Sequence, residues 1–106
     1  MFQIAAALWQ ATIAPWRSQG TALISPGMCK QKDETWLQPF LDVIGKDNIW
    51  DYTQIHTNKN TLKGVQDDVD YYWNTYGKPV WVNEVSTICL YLMMKLNRSR
   101  IVRLCR

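Results

Sequence analysis

Tyr76-Gly77-Lys78-Pro79-Val80-Trp81-Val82-Asn83-Glu84-Val85-Ser86 reads as a helix end, a tight turn, a buried strand and a carboxylate at the strand's C-terminal tip. Gly77 can take the positive φ that closes a helix, and Pro79 lacks the N–H needed to resume it. Val80-Trp81-Val82 is β-branched and aromatic, which favours a sheet. In a parallel α/β sheet, above all in a (β/α)8 barrel, strand C-termini converge on one mouth, so Glu84 would be held on a rigid element facing a ligand. The alternative is that Glu84 is only the first polar residue after a short strand.

Upstream of this stretch the apolar period is helical. Leu62, Val65, Val69, Tyr72, Trp73 and Tyr76 fall inward from a start at Thr61, with Lys63, Gln66, Asp67 and Asp70 outward. Asp67-Asp68 and Asp70 read as a solvated helix face. Residues 57–60 are a polar turn, and before them Ile49 to His56 alternates as a strand that sets Tyr52, Gln54 and His56 on one face. A shorter helix carries Trp36, Leu37, Phe40, Leu41 and Ile44, ends at Gly45, tolerates Pro39 in its first turn, and can be capped by Asp33 or Thr35.

The beginning of the chain follows the same alternation. Phe2, Ala5, Leu8, Trp9, Thr12, Ile13 and Trp16 recur at helical spacing, with Pro15 weakening the last turn and Gly20 ending it. Thr21-Ala22-Leu23-Ile24 is then a short buried strand closed by Ser25-Pro26-Gly27. The order α-β-α-β-α-β predicts an α/β fold with parallel strands near residues 21–25, 50–56 and 79–84, joined by right-handed crossovers.

Composition narrows the function classes. With 106 residues the chain is about one small domain, whereas a full (β/α)8 barrel needs roughly 250. Six tryptophans serve core packing, and such rings also make platforms for sugar faces. Residues 1–86 hold seven Lys/Arg against nine Asp/Glu, and residues 87–106 hold five Lys/Arg and no acid, so the net charge of +3 comes from the tail. Cys29, Cys89 and Cys105 form neither a zinc motif nor a disulfide framework, and no paired-carboxylate site or Ser/His/Asp triad stands out, so no metal and no cofactor is expected. The N-terminus lacks a basic n-region followed by an apolar h-region and a small-residue cleavage site, so no signal peptide is expected in these residues, and the run Ile88 to Met94 is far shorter than the ~20 residues of a membrane span.

Ala7-Leu8-Trp9, Ile13-Ala14-Pro15, Ser18-Gln19-Gly20-Thr21, Ser25-Pro26, Trp36-Leu37, Phe40-Leu41, Asp51-Tyr52, Ile55-His56 and Tyr76 through Glu84 stand in an order that resembles glycoside hydrolase family 128, the Asl1-like glycosyl hydrolase catalytic domain. The likeness covers roughly residues 1–86. It implies a partial (β/α)8 TIM barrel of about three βα units, the fifth to seventh strands of a retaining fungal β-1,3-glucanase. It also implies Glu84 as nucleophile, His56 with Trp81 and Asn83 as substrate-binding residues, and β-glucan or a related polysaccharide as partner. The alternative for His56 is a structural role at a strand end.

Departures from the family pattern shape the expectation. The family's acid/base Glu lies in an Asn-Glu-Pro motif after its fourth strand, and no such motif occurs here. Thr57 and Asn58 replace the aromatic residues that commonly follow the strand-six His, and Thr53 and Gln54 replace apolar residues. The expected protein is therefore a truncated glycosidase-like domain at residues 1–86, inactive alone, followed by a divergent basic tail at 87–106 that lacks the family's seventh helix and eighth strand. Relatives of full length are expected outside the cell or in the cell wall, and open sheet edges favour self-association. Two alternatives are a non-catalytic carbohydrate-binding remnant and a tail helix through Ile88, Leu92, Met93 and Leu96 that contacts membrane or nucleic acid.

Overall fold

The computed structural model describes residues 1–29, 35–85 and 101–104. Its centre is a three-stranded parallel sheet, β1 (Thr53–Thr57), β2 (Val80–Val85) and β3 (Ile101–Leu104), in the order β1-β2-β3. Among the described residues three α-helices accompany it: α1 (Phe2–Leu8), α2 (Leu37–Ile44) and α3 (Leu62–Tyr76). α3 forms the crossover from β1 to β2. The α/β class and the parallel pairing agree with the sequence.

The caps of α3 follow from its end residues. Thr61 accepts the Gly64 N–H at 3.1 Å, and Gly77 takes φ 64°, in the left-handed region open to glycine. α2 ends on Gly45 at φ 80°, with Leu37, Phe40, Leu41 and Ile44 buried. Its N-cap residue is Trp36, without a side-chain capping bond; of the two expected caps, Thr35 does not act as one and Asp33 lies outside the described residues.

The first helix departs from a uniform pitch. α1 passes into a π-helical turn over Trp9–Ile13 and then a 3-10 turn over Ala14–Gln19, before Gly20 closes it at φ 80°. Pro15 cannot donate to the preceding turn, and its ring crowds the carbonyl four residues back, so the ladder loosens before it. The wider turn rotates the later positions. Ile13 (40% exposed) and Trp16 (52%), both expected inward, face solvent; Leu8 (58%), also expected inward, is exposed ahead of that turn, while Ala6 and Trp9 are buried.

Trp9, Phe40, Trp50 and Tyr76 bind the elements together. Phe40 stacks on Trp50 at 6.3 Å and on Trp36 at 4.9 Å, Trp9 meets Phe40 edge-on at 5.7 Å, and Trp50 meets Tyr76 at 5.5 Å. Each such pair contributes about 0.5–1.5 kcal/mol beyond area burial. Trp50 is fully buried, and its Nε1–H donates to Thr53 Oγ1 at 2.8 Å. Thr53 is thus polar because the indole needs an acceptor.

Two expectations are corrected on the sheet and on α3. The segment expected as a strand at 21–25 is not a regular strand; it lies alongside β1 through two parallel bridges, Ile24 with Tyr52 and Met28 with Ile55. Pro26 has no N–H to give, and the Ser25 hydroxyl accepts the Gln54 N–H at 2.8 Å in place of a backbone carbonyl. Asp68 is not on a wet face. It is 2% exposed, three residues after Val65 and four before Tyr72 on the inward stripe, where it accepts from Thr57 Oγ1 at 2.9 Å and lies 3.6 Å from Lys59 Nζ.

The tail contributes the third strand. Ile101–Leu104 pairs with β2 in parallel, Val80 opposite Ile101 and Val82 opposite Leu104. The helix envisaged through Ile88, Leu92, Met93 and Leu96 lies outside the described residues.

Candidate functional site

β1 and β2 run parallel, so their C-terminal ends carry His56 and Glu84 to the same end of the sheet. The pairing begins in step, Thr53 with Val80, Gln54 with Trp81 and Ile55 with Val82. It then slips by one: His56 lies opposite Glu84, and Asn83 has no partner on β1. This bulge re-aims the strand end. Strict alternation would set Glu84 on the face opposite Trp81; with one residue accommodated in the bulge, Glu84 joins the row of Trp81.

The faces divide cleanly. Thr53, Ile55, Thr57, Val80 and Val82 are buried in or against the core, and Tyr52, Gln54, His56 and Trp81 are half-buried on the other side. His56 Nδ1 lies 3.4 Å from Glu84 Oε2, with the His side chain 20% and the Glu side chain 68% exposed. A contact so open adds little to stability. Its consequence is orientation, because the imidazole marks one side of a carboxylate that stays accessible. Trp81 meets the Tyr52 ring edge-on at 5.8 Å, extending the site as an aromatic corner.

Loop 23–28 closes the flank. Ser25 N–H donates to Tyr52 O at 2.9 Å, Met28 N–H to Gln54 O at 3.3 Å, and His56 N–H to Met28 O at 2.7 Å, which fixes the backbone carrying Gln54 and His56. Gly27 passes so near that a Cβ there would lie 2.9 Å from Gln54 Nε2 and 3.2 Å from His56 Nε2. Sequence reasoning named Glu84, His56, Trp81 and Asn83 and set Gln54 on the right face, yet it missed Gly27 and the bulge. The Pro26-Gly27 pair after a short strand was the available signal for the first.

The other carboxylates among the described residues belong to different surroundings. Asp51, at the opposite end of β1, accepts the Leu23 N–H at 2.7 Å and faces Arg17 at 3.4 Å. Asp68 is buried, Asp67 pairs with Lys63 at 2.7 Å, and Asp42 accepts from Gln38 at 2.9 Å. Asp47 and Asp70 sit in helical segments, Asp47 in a 3-10 turn after α2 and Asp70 in α3. None of them joins Glu84 on its face of the sheet; Asp68, held by Thr57 near the same end, is buried on the opposite face. Among the described residues no group of three His, Cys, Asp or Glu side chains could hold a metal ion, and no helix is long and apolar enough to cross a membrane.

Comparison with known proteins places this geometry in context. None of the curated proteins matches the chain significantly. Among solved structures, an oligosaccharide-binding protein of glycoside hydrolase family 128, subgroup VII, from Cryptococcus neoformans is 50% identical with a TM-score of 0.74, over 80% of this chain and 34% of its own. Its counterpart from Trichoderma gamsii is 48% identical with a TM-score of 0.70, over 78% and 32%. A curdlan-specific exo-β-1,3-glucanase of subgroup III from Blastomyces gilchristii shares the fold at 20% identity and a TM-score of 0.71, over 97% and 52%. The chain thus spans about a third of the length of the first two. The model of the family described as glycosyl hydrolase catalytic core matches residues 2–95, and with half-identical neighbours in glycoside hydrolase family 128 the chain belongs to that family.

Proposed function

We propose that this chain is a segment of a (β/α)8 barrel that binds β-1,3-glucan oligosaccharides at the end of the sheet carrying His56, Trp81, Asn83 and Glu84, and that the 106 residues alone do not hydrolyse them. The observation that carries the reading is the bulge-set pair of His56 and Glu84, 3.4 Å apart beside the Trp81–Tyr52 corner. Carboxylate and imidazole exchange hydrogen bonds with sugar hydroxyls, and an indole face receives the C–H face of a pyranose. Support also comes from the oligosaccharide-binding proteins at 50% and 48% identity.

In this reading Glu84 takes the nucleophile's role, but retaining hydrolysis needs two carboxyl groups about 5–5.5 Å apart. The second protonates the leaving oxygen and then activates water, and a positioned general acid typically contributes about 10²–10⁴-fold. With Glu84 as the sole carboxylate described on the site face, and Asp68 buried behind the sheet, attack would expel a sugar alkoxide unaided.

Calorimetric titration of the purified chain with laminari-oligosaccharides, beside an assay for released sugar, tests this reading. Binding that Trp81→Ala and Glu84→Ala each weaken by about tenfold, without turnover, is the expected result. Absence of binding would remove the glycan reading, and turnover abolished by Glu84→Ala would show that a second carboxylate completes the site.

A further inference from the structure

Gln54 is the residue of the site face that the reading above leaves without a task. Its backbone is fully engaged, the N–H with Ser25 Oγ at 2.8 Å and the carbonyl with Met28 N–H at 3.3 Å. Its side-chain amide has no hydrogen-bond partner among the described residues, although the residue is half-buried. The amide keeps contact with solvent, so water satisfies it in the free protein and a ligand hydroxyl can take that water's place.

Its surroundings define what that ligand offers. Trp81 lies directly across the strand pair and His56 two residues along the same face, with Glu84 beyond His56. Gly27 backs the amide on the flank, where a Cβ would come within 2.9 Å of Nε2, so the side chain has little freedom to swing that way. An amide donates from nitrogen and accepts at oxygen, and a vicinal pair of sugar hydroxyls presents the matching acceptor and donor. An aromatic ring beside it supplies the apolar platform on which a pyranose rests.

We infer that Gln54 is a specificity-determining residue of this face, its amide hydrogen-bonding a hydroxyl of the sugar unit that lies between Trp81 and the His56–Glu84 pair. The inference rests on the glycan-binding reading and adds to it which residue discriminates among sugars. A site built to bond a hydroxyl rejects the analogue that lacks it, because the site's own polar group is then left unpaired. Gln54 is therefore the origin of selectivity, while Trp81 supplies sequence-tolerant stacking affinity.

The test is a cycle between protein and ligand, with the full chain titrated against laminaribiose and its mono-deoxy derivatives. In the wild type, one deoxy position is expected to weaken binding by about tenfold or more. In Gln54→Leu, which keeps the shape and removes the amide, laminaribiose itself weakens by a similar factor and the same deoxy derivative no longer differs from its parent. Gly27→Ala serves as the second variant: its φ is compatible with alanine, and the new methyl group, 2.9 Å from Gln54 Nε2 and 3.2 Å from His56 Nε2, displaces the amide more than the imidazole, so discrimination at the same position falls. Binding by Gln54→Leu with undiminished affinity and unchanged deoxy discrimination overturns the inference while leaving the glycan reading intact. If the wild type binds no laminaribiose and no longer laminari-oligosaccharide, the glycan reading itself fails and the inference falls with it.

Discussion

His56 Nδ1 and Glu84 Oε2 stand 3.4 Å apart, although in-step pairing continued from Ile55 with Val82 would bring Asn83 opposite His56. One residue without a partner decides which side chain reaches the imidazole.

Deletion tests this arrangement. Removing Asn83 irons out the bulge yet leaves Val82 opposite Ile55 and Glu84 opposite His56, so the fold should survive with a change below about 1 kcal/mol, a shift of roughly 4–8 °C at most for a domain of this size. Removing Val82 instead moves Asn83 into the row now filled by a 1% exposed valine. Lost burial and an amide in the core should destabilise by about 3 kcal/mol or more. Thermal unfolding followed by circular dichroism checks both, and equal midpoints would contradict the register.

Asp68 offers a second comparison. Asp68→Ala leaves the Thr57 hydroxyl without its acceptor and Lys59 without its carboxylate, and should destabilise by about 2–3 kcal/mol. Asp67→Ala breaks only the exposed pair with Lys63, and should change stability by less than about 0.5 kcal/mol. Urea titration of the two variants distinguishes them, and similar midpoints would mean that Asp68 is solvated after all.

At Gly77 the cost of a side chain is purely conformational. With φ 64° and nothing within 4 Å of the position a Cβ would take, Gly77→Ala meets no neighbour and only backbone strain. The expected destabilisation is about 1 kcal/mol, read as a lower urea midpoint with an unchanged slope. Gly77→Asn should recover part of it, because asparagine tolerates the left-handed region better than alanine.

Ile4 and Leu8, one helical turn apart on α1, are 69% and 58% exposed. Adjacent apolar side chains left in water favour association. Sedimentation velocity over a concentration series should show a rising mean mass for the wild type and a constant one for Ile4→Glu combined with Leu8→Glu. A monomeric wild type across the series would contradict this prediction.

α2, α3 and β2 were legible because each carries its own punctuation. Apolar residues at helical period lead to Gly45 and Gly77, and Pro79 separates α3 from a β-branched run. The outward turn of Ile13 and Trp16 was not legible, since period counting assumes a constant pitch and the π turn before Pro15 changes it. Asp68 was misread because charge type outweighed its position on the inward stripe, where Thr57 supplies the hydrogen bond that makes burial tolerable. At the site, Glu84 and His56 could be set at strand ends by pattern alone. Their facing each other depends on a slip in register that a strict two-residue period does not contain.

The break at Ser25-Pro26-Gly27 also governs which border of the sheet can recruit a newcomer. A regular outer strand presents an unbroken row of N–H and C=O groups, and any extended peptide of adequate length can be templated on it. Residues 23–28 offer no such row, because Pro26 has nothing to donate and the segment follows β1 only at Ile24 and Met28. The kink that seats Gly27 against Gln54 thus also blunts that border. Among the described residues, β3 forms the other border, so an untemplated peptide would add there more readily than beside residues 23–28.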